Sequence, residues 1–269
     1  MYMKYPNIKQ IIIAICLIII IYILTFYNRC NKRENFDNNT DNIPFVIICW
    51  NNPTFVENFI NQIKKYGRKI IILNNNSEYE KVYEYFDKVK KELGDQIEIR
   101  NLDKNYGHAV YHILKDTLPD IYILSDPDLE LNANMPDNFV ETLYNFSNKY
   151  QIYKVGLALD ISEKDKLLDC QSYTSGKSIY DWEMQFWNEK LDEPGYELYR
   201  ASIDTTLCLI NKKYFKDNTY DGIRIAGNYT AKHLPWYKDY IKTHIPKEEV
   251  DVWRKNNKSS SILFSCLNE

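Results

Sequence analysis

The stretch Phe45-Val-Ile-Ile-Cys-Trp50 opens a series of short apolar runs that decides the fold class of this chain of 269 residues. It is rich in β-branched residues, which is typical of a strand buried on both faces. Asn51-Asn-Pro-Thr54 follows it and predicts a turn and a helix start. Apolar residues then recur at helical spacing over residues 55–63. The opening therefore predicts one buried strand followed by one helix.

The same alternation continues along the chain. Further strands are predicted at residues 69–73, 97–101, 121–124, 155–159, 205–210 and 223–225. Further helices are predicted at residues 77–93 and 137–150, and a helix that follows Asn105-Tyr-Gly-His108 is predicted to end near residue 118. Ser77 and Glu80 have the spacing of a capping box at the start of the second helix. Strands that alternate with helices predict an α/β protein with a mostly parallel sheet and helices on both faces. Ligands bind such a sheet outside the carboxyl ends of its strands, and polar loops follow the first four strands here.

The composition is that of an ordinary globular protein. The chain has 34 basic and 37 acidic residues, a formal net charge of −3, with 45% hydrophobic and 26% charged residues. These values exclude wholesale disorder, and the near-neutral balance gives no reason to expect nucleic acid as a partner. The six cysteines show no metal-ligand spacing. Cys49 and Cys208 lie in apolar, strand-like runs and are predicted to be buried thiols.

Residues 11–27, IIIAICLIIIIYILTFY, contain no charge and no helix breaker. At about 1.5 Å per residue they give a helix of roughly 25 Å, at the short end for a membrane span. A single-pass anchor is therefore predicted. A cleaved signal peptide is the alternative, which is disfavoured because residues 24–27 offer no small residues for cleavage. The orientation is open because basic residues lie on both flanks.

The predicted organisation follows from this anchor. A flank at residues 1–10 precedes the transmembrane segment at 11–27, and a polar stem follows at 28–43. A globular domain then extends over residues 44–258, and residues 259–269 form a tail. The chain is thus expected at a membrane, with its chemistry in the globular domain.

Asp126-Pro-Asp128, directly after the fourth predicted strand, is the strongest chemical signal. Two acids one residue apart repel each other unless something compensates their charge. A hard divalent cation does so, because it prefers carboxylate oxygens, and it commonly shares its coordination shell with substrate phosphates. The alternative is a plain turn, since Asp and Pro are common turn residues. The position after a strand of an α/β series favours a cation that bridges the protein and a diphosphate.

Four segments occur in order along the chain: Phe45-Val-Ile-Ile-Cys-Trp-Asn-Asn-Pro53, Ile70-Ile-Ile-Leu-Asn-Asn-Asn-Ser77, Asn105-Tyr-Gly-His-Ala109 and Leu124-Ser-Asp-Pro-Asp-Leu129. Together they resemble the GT-A glycosyltransferases, and among them the family-2-like members, over roughly residues 44–237. One departure is that the family often has an Asp in the second-strand loop, where this chain has Asn. An Asn side chain can still hydrogen-bond the edge of a base.

The resemblance implies a GT-A fold that moves a sugar from a nucleotide diphosphate sugar, with a UDP-sugar favoured, to a glycan, protein or lipid acceptor. It divides the globular domain into a donor-binding half at residues 44–130 and an acceptor half at 131–258. By the family pattern Asp128 binds the metal, and Asp126 binds the metal or the ribose. His233 is a candidate further ligand, and its imidazole favours Mn²⁺ over Mg²⁺.

Other site residues are expected on the same basis. The candidate donor contacts are Asn51, Asn74, Asn75, Asn105, Asp126 and Arg224. An inverting transfer, which is favoured, needs a carboxylate base, for which Asp204 ranks first and Glu183 second. Trp182 and Trp236 are candidates for stacking on an acceptor sugar.

Two other functions compete with this prediction. One is a catalytically inactive domain of the same fold that only binds nucleotide or glycan, which the lack of an evident base keeps open. The other is a metal-dependent phosphohydrolase with a D-x-D nucleophile. That class is disfavoured because its acids are expected after the first strand, whereas these follow the fourth.

Overall fold

The computed structural model describes residues 18–22, 40–171 and 175–256. The chain separates into two units, residues 1–41 and 42–269, and the sheet lies in the second. In the first unit, residues 18–22 are helical and exposed. No helix within the described ranges is long and apolar enough to cross a membrane. Several predicted segments lie outside the described residues: the flank at 1–10, most of the anchor at 11–27, most of the stem at 28–43 and the tail at 259–269.

Four parallel strands form the first half of the sheet, as predicted. They are β1 (Phe45–Cys49), β2 (Ile70–Asn74), β3 (Ile97–Asn101) and β4 (Ile121–Ser125), connected by helices α1 (Pro53–Ile63), α2 (Glu80–Leu93) and α3 (Val110–Ile113). Their order in space is β3-β2-β1-β4, so the chain moves outward from β1 and then returns to its other side. All four strands therefore end at one edge of the sheet.

Apolar side chains on both faces of β1 explain its unbroken hydrophobic run. Phe45 and Ile47 belong to the larger core, which also contains the buried faces of α1 and α2. Val46 and Ile48 belong to a second core on the opposite face, which includes Val110 of α3. The prediction of helices on both faces is confirmed.

The second half of the sheet is mixed. Its elements are β5 (Leu129–Leu131), α4 (Phe139–Tyr150), β6 (Lys154–Leu159), α5 (Ile179–Met184), β7 (Lys190–Leu191), β8 (Leu198–Arg200), β9 (Cys208–Asn211) and β10 (Gly222–His233). The order continues from β4 as β9-β6-β10-β8-β7, and β5 pairs with β10. Strand β9 is antiparallel to both β4 and β6. Gly156 permits this close pairing, because a Cβ there would lie 2.6 Å from the Leu207 carbonyl oxygen.

Two helices that the residue pattern did not predict end the described chain. They are α6 (Tyr240–His244) and α7 (Lys247–Asn256). The Phe55 ring of α1 stacks on Trp253 at 5.6 Å and on Tyr240 at 6.1 Å between ring centroids. These contacts pack the C-terminal helices against α1.

Two local predictions are wrong. Helix α2 begins at Glu80 after Tyr79, without a side-chain cap, and the Ser77 hydroxyl accepts a hydrogen bond from Asn51 N at 2.9 Å instead. The helix predicted to follow Asn105-Tyr-Gly-His108 and to end near residue 118 is shorter, because α3 ends at Ile113 and residues 114–117 form turns. Cys49 and Cys208 are free and buried, as predicted.

Candidate functional site

The strand order places the topological switch point of the sheet between the parallel strands β1 and β4. Ligands of open α/β sheets generally bind outside the carboxyl ends of the strands at such a point. The loop after β1 begins with Trp50 and Asn51, and the loop after β4 begins with Asp126. Polar residues from two crossovers are thereby brought to one place.

Asp126 and Asp128 lie partly buried in the β4 loop. Asp126 N donates to the Thr205 carbonyl oxygen at 2.9 Å, and the Thr205 hydroxyl donates to Asp126 Oδ2. Burial, and after it the charge of Asp128, raises the pKa of Asp126 well above its usual range. Within the described residues, neither carboxylate forms an ion pair with a lysine or an arginine. The pair is therefore short of positive charge.

Asp128 faces His233 across a short antiparallel ladder. Leu129 of β5 lies opposite His233 of β10, and Leu234 N donates to the Asp128 carbonyl oxygen at 2.9 Å. This register brings His233 Nε2 to 3.3 Å from Asp128 Oδ2. Burial lowers the pKa of His233, with the charge of Asp128 acting in the opposite direction, so the imidazole is neutral near pH 7.

The chemistry of these side chains fits a divalent cation. Two carboxylates and a neutral imidazole are suitable ligands, and Asp128 Oδ1 and His233 Nδ1 are buried without a hydrogen-bond partner. Across the described part of the chain, however, no group of three His, Cys, Asp or Glu side chains is arranged to hold a metal. Asp126 Oδ2 is engaged by Thr205. A cation here would need water or ligand oxygens to complete its shell.

Two predicted donor contacts, Asn51 and Asn74, connect the loops to one another. Asn51, with φ of +55°, accepts hydrogen bonds at Oδ1 from Glu78 N at 2.8 Å and Tyr79 N at 3.0 Å. Asn74 Nδ2 donates to Asn101 Oδ1 at 2.9 Å. Asn51 and Asn74 are fully buried, so this conformation departs from the prediction that they contact a nucleotide.

The other two predicted asparagines are Asn75, directly after β2, and Asn105, in the loop after β3. Asn75 is buried, donates to the Gly107 carbonyl oxygen at 3.1 Å and accepts from Tyr106 N at 2.8 Å. Asn75 therefore also departs from a direct nucleotide contact. Asn105 is exposed, and its Oδ1 accepts from Gly107 N at 2.7 Å. Among the predicted donor asparagines, only Asn105 faces solvent.

Arg224 and Glu183 form a buried ion pair, which argues against their predicted roles. Arg224 Nη1 lies 2.6 Å from Glu183 Oε1, and the two side chains are 5% and 1% exposed. The same guanidinium donates to the Ser202 carbonyl oxygen and covers the Phe186 ring at 4.1 Å. Burial raises the pKa of Glu183, and the guanidinium opposes that rise. With their polar groups used internally, neither residue is free to act as a base or a phosphate contact.

Asp204 differs from Glu183 because it is exposed, and the residue after it contacts Asp126. The following residue, Thr205, makes both hydrogen bonds to Asp126 described above. The charge of Asp204 also contributes to the raised pKa of Asp126. Of the two ranked bases, Asp204 alone combines exposure with proximity to Asp126.

The two candidate acceptor tryptophans have different surroundings. Trp182 is half-buried and contacts Phe186 edge-on, with 6.3 Å between ring centroids. Trp236 is 8% exposed, and its ring lies 4.5 Å from that of His233. Trp236 therefore covers the imidazole, which departs from the prediction that it stacks on a sugar.

Two residues near the site were not singled out from the sequence. Thr205 follows Asp204, and a hydroxyl beside a candidate base was the available signal. Lys154 is fully buried, and its Nζ donates to the Ile203 carbonyl oxygen at 3.0 Å and the Asp204 carbonyl oxygen at 2.7 Å. No sequence signal indicated Lys154, because lysines are rarely buried.

No protein-family model matches this chain, and no curated protein matches it either. Solved structures similar to it include the mannosyltransferase PcManGT from Pyrobaculum calidifontis in complex with GDP-Man and Mn²⁺. That structure is 10% identical, with a TM-score of 0.46, over 79% of this chain and 59% of the other. GalNAc-T7 with UDP, GalNAc and Mn²⁺ is 11% identical, with a TM-score of 0.48, over 80% of this chain and 50% of the other.

The glycosyltransferase GlyE of Streptococcus pneumoniae TIGR4, in its apo form, is also similar. It is 13% identical, with a TM-score of 0.31, over 84% of this chain and 42% of the other. The matched part thus spans less than two thirds of each of these three structures. Similarity at this level assigns neither a substrate nor a residue role to this chain.

Proposed function

We propose that this chain is a metal-dependent glycosyltransferase of GT-A type. It would transfer a sugar from a nucleotide diphosphate sugar, with a UDP-sugar favoured, to a glycan, protein or lipid acceptor. One observation carries the proposal: an acid pair follows β4 at the reversal point of the sheet, and its second acid faces a neutral His233 at 3.3 Å. Residues 11–27 would anchor the enzyme in a membrane.

Asp128 and His233, with Asp126, are the residues that would hold the cation, with Mn²⁺ favoured over Mg²⁺ because one ligand is a nitrogen. When bound, such an ion acts as a Lewis acid on the diphosphate leaving group. The chain itself contributes the positions of these side chains. Thr205 holds Asp126, and the β5–β10 ladder holds Asp128 against His233.

Asp204 is the base of the proposed reaction, which is inverting. Its exposed carboxylate would accept the proton from the acceptor hydroxyl while that oxygen attacks the anomeric carbon. An exposed carboxylate beside the acid pair suits this role, because the acceptor must reach it from solvent. Glu183 is excluded from the role by its buried pairing with Arg224.

A nucleotide- or glycan-binding domain without activity is the second candidate. It is favoured because the buried pairing of Glu183 with Arg224 leaves Asp204 as the one exposed residue of the two candidate bases. The full chain can be incubated with UDP-, GDP- and dTDP-sugars, with and without Mn²⁺, while thermal shift and sugar release or transfer are followed. Metal-dependent turnover supports the transferase, and metal-dependent stabilisation without turnover supports the binding domain. Phosphate release from simple esters would instead support a phosphohydrolase.

A further inference from the structure

Three consecutive main-chain carbonyl groups, those of residues 202–204, accept hydrogen bonds from two buried cations. Arg224 Nε and Nη2 lie 3.0 Å and 2.7 Å from the Ser202 carbonyl oxygen. Lys154 Nζ lies 3.0 Å from the Ile203 carbonyl oxygen and 2.7 Å from that of Asp204. We call these two side chains and three carbonyl groups the carbonyl clamp. It fixes the backbone that leads into Asp204 and Thr205.

Both cations of the carbonyl clamp also contact side chains outside it. Lys154 lies at the start of β6, donates to the Tyr111 hydroxyl at 3.2 Å and contacts the Tyr111 ring at 4.8 Å. Arg224 lies on the neighbouring strand β10 and pairs with Glu183. The two donors therefore extend from adjacent parallel strands toward one segment.

Lys154 is an expensive residue to bury. Its side chain is fully inside the protein, and burial lowers its pKa. Within the described residues it forms no ion pair with a carboxylate, so only carbonyl and hydroxyl oxygens and aromatic faces compensate the lost hydration. An apolar residue would fill the same space without the free-energy cost of removing a charge from water. We therefore attribute the buried lysine to its hydrogen bonds with residues 203 and 204 and not to a gain in the stability of the protein.

The segment that Lys154 binds continues into Thr205, which contacts the acid pair. Thr205, one residue beyond the clamped carbonyl groups, contacts Asp126 through its carbonyl and hydroxyl groups. We propose that Lys154 and Arg224 are positioning residues that fix Asp204 and Thr205 relative to Asp126. For the role of Asp204 this inference rests on the proposed function, whereas the clamp itself does not.

The test compares Lys154→Met with a matched control, Lys212→Met. Lys212 Nζ also donates to two main-chain carbonyl oxygens, those of Lys115 and Leu118, but these lie outside the segment at residues 202–205. Mn²⁺ binding is measured by electron paramagnetic resonance, and amide hydrogen exchange is followed in the peptide that contains residues 202–206. Lys154→Met should weaken Mn²⁺ binding by about tenfold or more and speed exchange in that peptide. Lys212→Met should change neither, even where it lowers thermal stability equally.

Two more variants keep the test decisive. Lys154→Arg retains a cation with several donors, so it should keep Mn²⁺ affinity closer to wild type than Lys154→Met does. If Lys154→Met fails to fold, Arg224→Lys takes its place, because it keeps the charge opposite Glu183 and loses the forked contact with Ser202. Unchanged Mn²⁺ affinity and exchange in the folded clamp variants would overturn the inference. Absence of Mn²⁺ binding by the wild-type protein would instead overturn the proposed function, and the exchange data would still judge the clamp.

Discussion

Asp128 Oδ2 and His233 Nε2 lie 3.3 Å apart although the two residues are far apart in the chain. The β5–β10 ladder creates this proximity, and burial keeps the imidazole neutral. A neutral imidazole beside a carboxylate gives a cation one nitrogen and one oxygen ligand.

Asp128→Asn should weaken Mn²⁺ binding by about 10- to 100-fold, because a neutral amide replaces an anionic ligand. Isothermal titration of Mn²⁺, with and without UDP, measures the effect. Asp217→Asn is the control, because Asp217 is exposed in the loop after β9 and lies outside the proposed site. Equal Mn²⁺ affinities for Asp128→Asn and wild type would remove Asp128 from the metal site.

Asp204→Asn should keep donor binding and lose transfer by about a hundredfold or more, as expected when a general base is removed. The amide is similar in size, and the Asp204 main-chain carbonyl group that Lys154 holds is unchanged. Steady-state kinetics should show a lower kcat with a KM for the donor close to that of wild type. A normal kcat would show that another group takes the proton.

Glu183→Ala should destabilise the protein by about 3–5 kcal/mol, because it leaves the buried Arg224 guanidinium without its partner. Urea unfolding, followed by circular dichroism, measures the loss. Glu248→Ala is the control, because Glu248 forms an exposed ion pair with Lys81 whose loss should change stability little. Equal stability for Glu183→Ala and wild type would contradict the structural role given to the pair.

Glu249→Gln should remove a pH dependence of stability. Glu249 is buried against Thr54, whose hydroxyl donates to it at 2.7 Å, and burial raises the pKa of this carboxyl to about 7. The folded protein therefore binds a proton that the unfolded chain, with a pKa near its ordinary value, has already released. As pH rises toward 7, the free energy of unfolding falls, in total by about 3 kcal/mol.

Urea unfolding of wild type and Glu249→Gln at about pH 5 and about pH 8 tests this sign. The variant should be the more stable of the two at the higher pH, because its amide needs no proton to remain buried. The stability difference between the two proteins should shrink at the lower pH. A difference that does not change with pH would show that Glu249 is already ionised in the folded protein.

Strands β1, β2 and β4 could be predicted because they are almost wholly buried and therefore give continuous apolar runs. Strand β3 lies at the edge of the sheet, and the alternating residues of Ile97-Glu-Ile-Arg-Asn101 indicated it instead. The short strands β5, β7 and β8 escaped prediction, because two or three residues carry no periodicity. Their existence depends on partners distant in sequence.

The site was predictable in its residue types and less so in its contacts. Asp126, Asp128, His233 and Asp204 were singled out individually, and the pairing of Asp128 with His233 needed the register of β10. Asn51 and Arg224 were predicted to contact the donor but bond other parts of the protein. The sequence does not show whether a polar side chain near a strand end faces solvent or forms internal hydrogen bonds. Lys154 was missed because the sequence does not show that its Nζ meets two carbonyl oxygens.

The last described helix has a practical consequence for work with shortened forms of the protein. Trp253 Nε1 of α7 donates to the Asn51 carbonyl oxygen at 2.6 Å, and its ring stacks on Phe55. A truncation at residue 237, where the family resemblance ends, would leave Phe55 and Leu234 uncovered and the Asn51 carbonyl group without its donor. Expression of a minimal domain should therefore retain residues through 256.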